Sequence, residues 1–165
     1  MTPKEFVKAY YPFAKQTEDK TGISAVFILA QAALESGWGR SIPGNMFFGV
    51  KDTDGINGNE QLLKTTEYLT HNKARFPEII SITFDASKKM YKYIVKDWFR
   101  KYNTPEECFT DHANFFFKNG RYKQALLVRK DPYSFATEIA KAGYATAPDY
   151  ASILHKMIDT IKSNL

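Results

Sequence analysis

The sequence has one cysteine, Cys108, among 165 residues, which excludes an intramolecular disulfide and a thiolate-rich metal cage. It has no run approaching the roughly 18 consecutive apolar residues of a membrane-spanning helix. The longest candidate, residues 23–34, is interrupted by Ser24 and Gln31 and runs into Glu35. Internal repeats, low-complexity tracts and a Pro/Gly/Ser linker are absent too. His71, His112 and His155 are scattered and belong to no HExxH or CxxC pattern. No GxSxG elbow accompanies Asp111-His112, which reads as a capped or satisfied pair. Nothing resembles a phosphate-cradling glycine loop. Asp52-Thr53-Asp54-Gly55 hints at a calcium loop, but Ile56 stands where an oxygen ligand is needed and Leu63 where the bidentate Glu belongs. No metal and no cofactor is therefore expected. The first twenty residues are charged throughout and lack the apolar core and cleavage site of a secretory signal. The route taken by the chain stays open: cytosolic residence, another export route, or a mature form.

What is present is ordinary in bulk and unusual in one respect. A hydrophobic fraction of 44% and a charged fraction of 25% fit a soluble globular chain. The length is that of one domain, able to bury roughly two-thirds of its unfolded surface. Aromatics are in excess, with 13 Phe, 10 Tyr and 2 Trp. The net charge of +5 is spread along the chain, which reads as a solvated surface or as a modest preference for polyanionic neighbours.

The two ends read as helical. Thr2-Pro3-Lys4-Glu5 is a capping box with proline at the first helical position, predicting a helix over about 3–19. Residues 23–36 form a second, apolar helix stopped by Gly37 and Gly39. Thr104-Pro105-Glu106-Glu107 opens a helix to about Lys118, and residues 121–130 read as a short amphipathic helix. Asp131-Pro132 caps another that ends at Gly143, and Pro148 starts the last. Cys108, beside Phe109, reads as buried and inert, and the aromatic run 115–117 as core.

Between about 46 and 102 the pattern changes. Leu62 to Tyr68, Ile79 to Phe84 and residues 91–99 have strand character, and Asn57-Gly58 favours a type I′ hairpin turn. The fold class expected is α+β, predominantly helical with a small antiparallel β lobe, in a single domain over 1–165.

The chemistry centres on Ala33-Leu34-Glu35-Ser36-Gly37-Trp38-Gly39. A carboxyl at the C-terminal end of an apolar helix is pushed toward its neutral form by desolvation and by the negative helix end. A carboxyl held protonated near neutral pH is what a glycosidase needs to protonate a leaving oxygen. The alternative reading is an exposed end residue of an amphipathic helix.

Four further segments follow in order: Asn45-Met46-Phe47-Phe48-Gly49-Val50-Lys51, Thr66-Glu67-Tyr68, Phe99-Arg100-Lys101-Tyr102, and Ala142-Gly143-Tyr144-Ala145-Thr146-Ala147-Pro148-Asp149-Tyr150. Together with the Glu35 segment they resemble the glucosaminidase domains of bacterial autolysins and of flagellar peptidoglycan hydrolases. The resemblance runs from Ile23 to about Ile158. It implies a lysozyme-like fold with a substrate cleft between a helical lobe and the β lobe. It also implies endo-β-N-acetylglucosaminidase activity on the GlcNAc-β-1,4-MurNAc bond of peptidoglycan glycan strands. Glu35 matches the family's general acid, Glu67 its second carboxylate, and Tyr144 a tyrosine lining the sugar site. Trp38, Phe48 and Tyr68 are candidate substrate-binding aromatics, although Trp38 reads equally as closing the helix end against the core.

The connection between Glu67 and Phe99 is longer than the family's pattern, as an added hairpin or a cover over the cleft. That leaves Glu60 and Asp97 as substitutes for the second carboxylate. The resemblance places the activity at the bacterial cell wall, with glycan strands as partner and a monomer expected. Alternatives are a muramidase or lytic transglycosylase of the same fold type, a catalytically silent glycan-binding module, or a single-stranded nucleic-acid binder using stacking and positive charge. The last needs Lys/Arg interleaved with exposed aromatics, approached only over 91–102, so no nucleic acid is expected as partner.

Overall fold

A computed structural model describes all 165 residues. Met1–Phe48 with Tyr102–Leu165 form one compact unit and Gly49–Lys101 another.

The first unit is helical. Helix α1 (Pro3–Thr21) begins at the expected capping box, with Thr2 Oγ1 accepting the Glu5 N–H and the Glu5 carboxylate accepting the Thr2 N–H. Helix α2 (Ala25–Ser36) is capped by Ser24 and is buried almost all round from Phe27 to Ala33. A helix apolar on every side must be enclosed, and α1, α5 and α6 pack against it. Helix α3 (Pro105–Lys118) follows Thr104, which accepts the Glu107 N–H. Helices α4 (Lys123–Leu126), α5 (Pro132–Lys141) and α6 (Tyr150–Ser163) complete the unit. At its centre Phe27 meets Phe135 edge to face at 4.7 Å and Phe116 at 6.2 Å, while Phe116 and Phe135 are 5.2 Å apart.

Three local expectations are corrected. The helix read over 121–130 shrinks to a 3-10 turn at Gly120–Tyr122 and the four residues of α4. The chain beyond it is held by a distant segment, since the Arg129 carbonyl accepts the Ser24 N–H and its guanidinium donates to the Thr21 carbonyl, as well as to the nearby Leu126 carbonyl. The last helix starts at Tyr150, two residues after Pro148, which lies in a turn. In the aromatic run, Phe116 is buried but Phe115 and Phe117 are 40% and 45% exposed, so only one of the three is core.

The second unit is a three-stranded antiparallel sheet in the order β1-β3-β2, built from β1 (Glu60–Leu69), β2 (Glu78–Asp85) and β3 (Met90–Arg100). The long connection supplies the β2–β3 hairpin, closed by a turn in which Lys89 takes φ +52° and the Asp85 carboxylate accepts the backbone N–H groups of Ser87 and Lys88. Asn57-Gly58 does not close a hairpin, because β1 pairs with β3 from far along the chain. Gly58 has φ +98° but Asn57 has no positive φ, so the type I′ turn is not formed. On β3, Tyr93, Val95 and Phe99 are buried. The Tyr93 hydroxyl donates to the His71 carbonyl at 2.6 Å and accepts the Ala74 N–H at 3.3 Å. Edge strand β2 leaves Ile79, Ile80, Ile82 and Phe84 exposed.

The aromatic centre around α2 predicts that Phe135→Ala destabilises the chain by about 3–5 kcal/mol. Urea unfolding should show a lower midpoint with an unchanged slope; a midpoint within error of wild type would contradict this account of the core.

Candidate active site

Helix α2 ends in a reversed turn. Gly37, Trp38 and Gly39 take φ of +59°, +60° and +76° in succession. Left-handed backbone is strained for a residue with a Cβ, and glycine on both sides confines that strain to Trp38. Hydrogen bonds hold the reversal: the Trp38 N–H donates to the Ala33 carbonyl at 2.8 Å and the Gly39 N–H to Ser36 Oγ at 2.9 Å. The Trp38 ring lies edge to face on Phe6 at 5.5 Å, packing against α1. A Cβ on Gly39 would meet Met1 Sδ and Phe6 Cδ2 at 3.4 Å, so space as well as φ requires glycine there.

The turn leaves Glu35 in the last turn of α2, open to solvent as a residue. Its carboxyl is nonetheless partly desolvated by the protein around it, which raises its pKa above the ordinary carboxylate value; a hydrogen bond with Tyr150 pulls the other way. Tyr150, first residue of α6, is buried, and its hydroxyl also accepts from Gln31 Nε2 at 3.0 Å. Burial foremost pushes the Tyr150 pKa up to about 12, so it stays a proton donor at neutral pH.

Tyr144 follows the left-handed Gly143 at φ +88°, and its N–H donates to the Ile139 carbonyl at 3.1 Å. Its ring stacks on Tyr150 with centroids 5.5 Å apart and planes at 25°. Burial, then the neighbouring Tyr150 and Glu35, raise its pKa well above the ordinary phenol value. Glu35 and Tyr144 are thus brought together through Tyr150. Phe48 stacks on His112 at 3.9 Å and 16°, and the His112 Nε2 is 3.4 Å from the Tyr144 hydroxyl. Of the expected residues in this unit, Glu35, Phe48 and Tyr144 belong to one linked set, and Trp38 turns to Phe6.

Glu67 and Tyr68 lie on the sheet. Adjacent strand residues point to opposite faces, so these two do not share one. The Glu67 carboxylate accepts from Lys51 Nζ at 2.6 Å, and the same ammonium donates to Asp97 at 2.7 Å. Lys51 is partly buried, which disfavours its charge, but the two carboxylates outweigh this and raise its pKa. Tyr68 lies under Lys88 Nζ, 3.8 Å from the ring centroid. Glu60, the other substitute, accepts the backbone N–H groups of Gly58 and Asn59 at 2.9 and 3.1 Å and is turned onto its own loop.

Four residues escaped the sequence reading of the site: Gln31, Lys51, His112 and Tyr150. Gln31 carried a signal, being a polar residue inside an otherwise apolar helix one turn before Glu35. Asp111 and His112 are each satisfied, by partners other than one another: Asp111 accepts from the Tyr102 hydroxyl at 2.6 Å while His112 bonds to Gln31. Cys108 is buried, and burial pushes its thiol pKa up to about 12. No group of three or more His, Cys, Asp and Glu side chains is arranged to hold a metal ion. No helix is long and apolar enough to cross a membrane.

A mostly helical frame, a three-stranded antiparallel sheet and a partly desolvated carboxyl at a helix end have the build of a glycoside hydrolase domain. The chain belongs to the glucosaminidase family, glycoside hydrolase family 73, described as mannosyl-glycoprotein endo-beta-N-acetylglucosaminidase, whose sequence profile matches residues 11–163. It is 33% identical over 154 residues to the peptidoglycan hydrolase FlgJ of Pseudomonas aeruginosa, covering 89% of this chain and 34% of that protein. It is 29% identical over 163 residues to a probable N-acetylmuramidase of Lactococcus lactis, covering 93% of this chain and 32% of that protein. The chain thus spans about a third of the length of these two relatives. A C-terminally truncated glycoside hydrolase domain of Salmonella typhimurium FlgJ superposes with a TM-score of 0.72 at 30% identity, covering 98% of this chain and 99% of that one.

The Tyr150 contact predicts the behaviour of Glu35 in titration. Tyr150 acts on the carboxyl directly, with Tyr144 stacked behind it. Donation from Tyr150 favours the carboxylate, so Tyr150→Phe should raise the Glu35 pKa further. Carbon-13 titration of the carboxyl, wild type beside variant, measures this; an unchanged or lower value would contradict the contact.

Proposed function

We propose that this chain hydrolyses the glycan strands of bacterial peptidoglycan, cutting the GlcNAc-β-1,4-MurNAc bond with Glu35 as general acid. The observation that carries the reading is the Glu35 carboxyl at the end of α2, its pKa raised by desolvation and moderated by the Tyr150 hydroxyl. In its protonated form the carboxyl delivers its proton to the glycosidic oxygen as the bond breaks, and Tyr150 then donates to the carboxylate left behind. FlgJ relatives named as peptidoglycan hydrolases support the substrate class. The net charge of +5 suits an anionic wall, and the cell wall is the proposed place of action.

Glu67 is the proposed second carboxylate, with Asp97 as its substitute because both accept from Lys51. Two carboxyls about 6.5–9.5 Å apart would admit a water and invert the anomeric centre, and about 5–5.5 Å would give a covalent intermediate. A third route uses the substrate's own 2-acetamido group as nucleophile and needs only Glu35. Tyr144, Phe48, Trp38 and Tyr68 are proposed to offer apolar ring faces to the CH faces of the sugars. The name of the Lactococcus lactis relative supports a second reading, in which the bond after MurNAc is cut.

Digestion of purified peptidoglycan followed by reducing-end analysis distinguishes these. N-acetylglucosamine ends are expected; muramic acid ends would overturn the bond assignment in favour of a muramidase, and anhydro-muramic ends in favour of a transglycosylase. Glu35→Gln should lower activity by about 100- to 10,000-fold, and a variant that clears walls at the wild-type rate would end the reading. A loss of similar size in Glu67→Gln is expected for an inverting or covalent route, whereas a loss below about tenfold points to the acetamido route.

A further inference from the structure

Behind Glu35, the side chains of Tyr150, Gln31 and His112 form a line of polar contacts. Gln31 is fully buried on α2, where its amide must find both donors and acceptors within the protein. Its Nε2 donates to the Tyr150 hydroxyl at 3.0 Å, and its Oε1 lies 2.8 Å from His112 Nε2. His112 is clamped, stacked on Phe48 at 3.9 Å and met edge to face by Phe116 at 5.2 Å and Tyr144 at 6.1 Å. Burial pushes its pKa down to about 3, so the ring is neutral at working pH.

With the Gln31 amide oriented as it is, with Nε2 toward Tyr150 and Oε1 toward His112, the links run in one direction. The Gln31 carbonyl only accepts, so His112 carries its proton on Nε2 and donates it; the Tyr144 oxygen, 3.4 Å from the same nitrogen, takes the weaker share. The Gln31 amide N–H then faces Tyr150, whose oxygen accepts it. The single Tyr150 proton is left for Glu35, whose pKa the Tyr150 hydroxyl lowers. With the opposite polarity the Tyr150 oxygen would take the proton of the Glu35 acid and aim it into the protein, away from a leaving group.

We infer that Gln31 and His112 are positioning residues that fix the direction of the hydrogen-bond chain, so that Tyr150 presents its proton to Glu35 and leaves the acid's own proton facing the substrate. The inference rests on Glu35 being the general acid.

The test uses the whole chain on a soluble peptidoglycan glycan fragment of defined length. His112→Phe keeps the ring stack and removes the nitrogen; Gln31→Met keeps the length and removes the amide. Each should lower kcat on the order of 10- to 100-fold, with KM changed less than about twofold, as misorientation of a reacting group does. In a Tyr150→Phe background His112→Phe should cost little more, because the chain is already cut at its far end. The Glu35 carboxyl pKa should also rise in His112→Phe as Tyr150 loses its fixed direction. Wild-type kcat in both variants, or losses that multiply with Tyr150→Phe, would overturn the inference. Should Gln31→Met fail to fold, the His112→Phe cycle and titration decide alone. Full activity in Glu35→Gln would instead refute the acid assignment, whereas inactive Glu35→Gln with multiplying losses refutes the chain only.

Discussion

The enclosure of α2 governs the helical unit. A helix buried almost all round is stable only when other helices surround it, and α1, α5 and α6 do so. Where the enclosure ends, the chain must turn at once, and three successive left-handed residues perform the turn. Glu35 stands at that boundary, exposed as a residue yet with its carboxyl partly desolvated. The same enclosure traps Gln31, whose amide then has to be satisfied by groups from other helices. Tyr150 of α6 and His112 of α3 supply them.

Glu35 is consequently under two opposed influences. Desolvation favours the neutral acid, and Tyr150 favours the carboxylate. In the proposed role of general acid, protonated before the bond breaks and ionised afterwards, Glu35 would benefit from both, since neither form is then held too firmly. The sheet unit treats its carboxylates differently: Glu67 and Asp97 share a charged partner in Lys51, a pairing of ions rather than an exclusion of water.

Local chemistry made much of this legible. The capping groups of Thr2, Thr104 and Asp131 lie within a few residues of the helices they start, so sequence alone locates them, whereas Ser24, read as part of its helix, is the cap before it. Strand alternation located β1, β2 and β3 for the same reason. The failures were of long range. Residues 121–130 carry an amphipathic pattern, yet Arg129 is tied to Thr21 and Ser24 and the segment turns away from helix. Asn57-Gly58 has hairpin chemistry, but the partner of β1 lies beyond two further segments of chain. Glu35 was legible because its helix and its turn are one contiguous stretch. Its supports were not: Gln31 and Tyr150 are 119 residues apart, and Gln31 and His112 are 81 apart.

Strand β2 has a bearing on how the chain behaves in a test tube. It is an edge with exposed Ile79, Ile80, Ile82 and Phe84, and half of its backbone groups face no neighbouring strand. Such an edge is a template for pairing with other chains. Glu78 and Asp85 at its two ends, and Lys88 and Lys89 in the adjoining turn, act as charged gatekeepers. The repulsion between molecules that each carry a net charge of +5 is strongest at low ionic strength, so colloidal stability of concentrated solutions depends on keeping salt low.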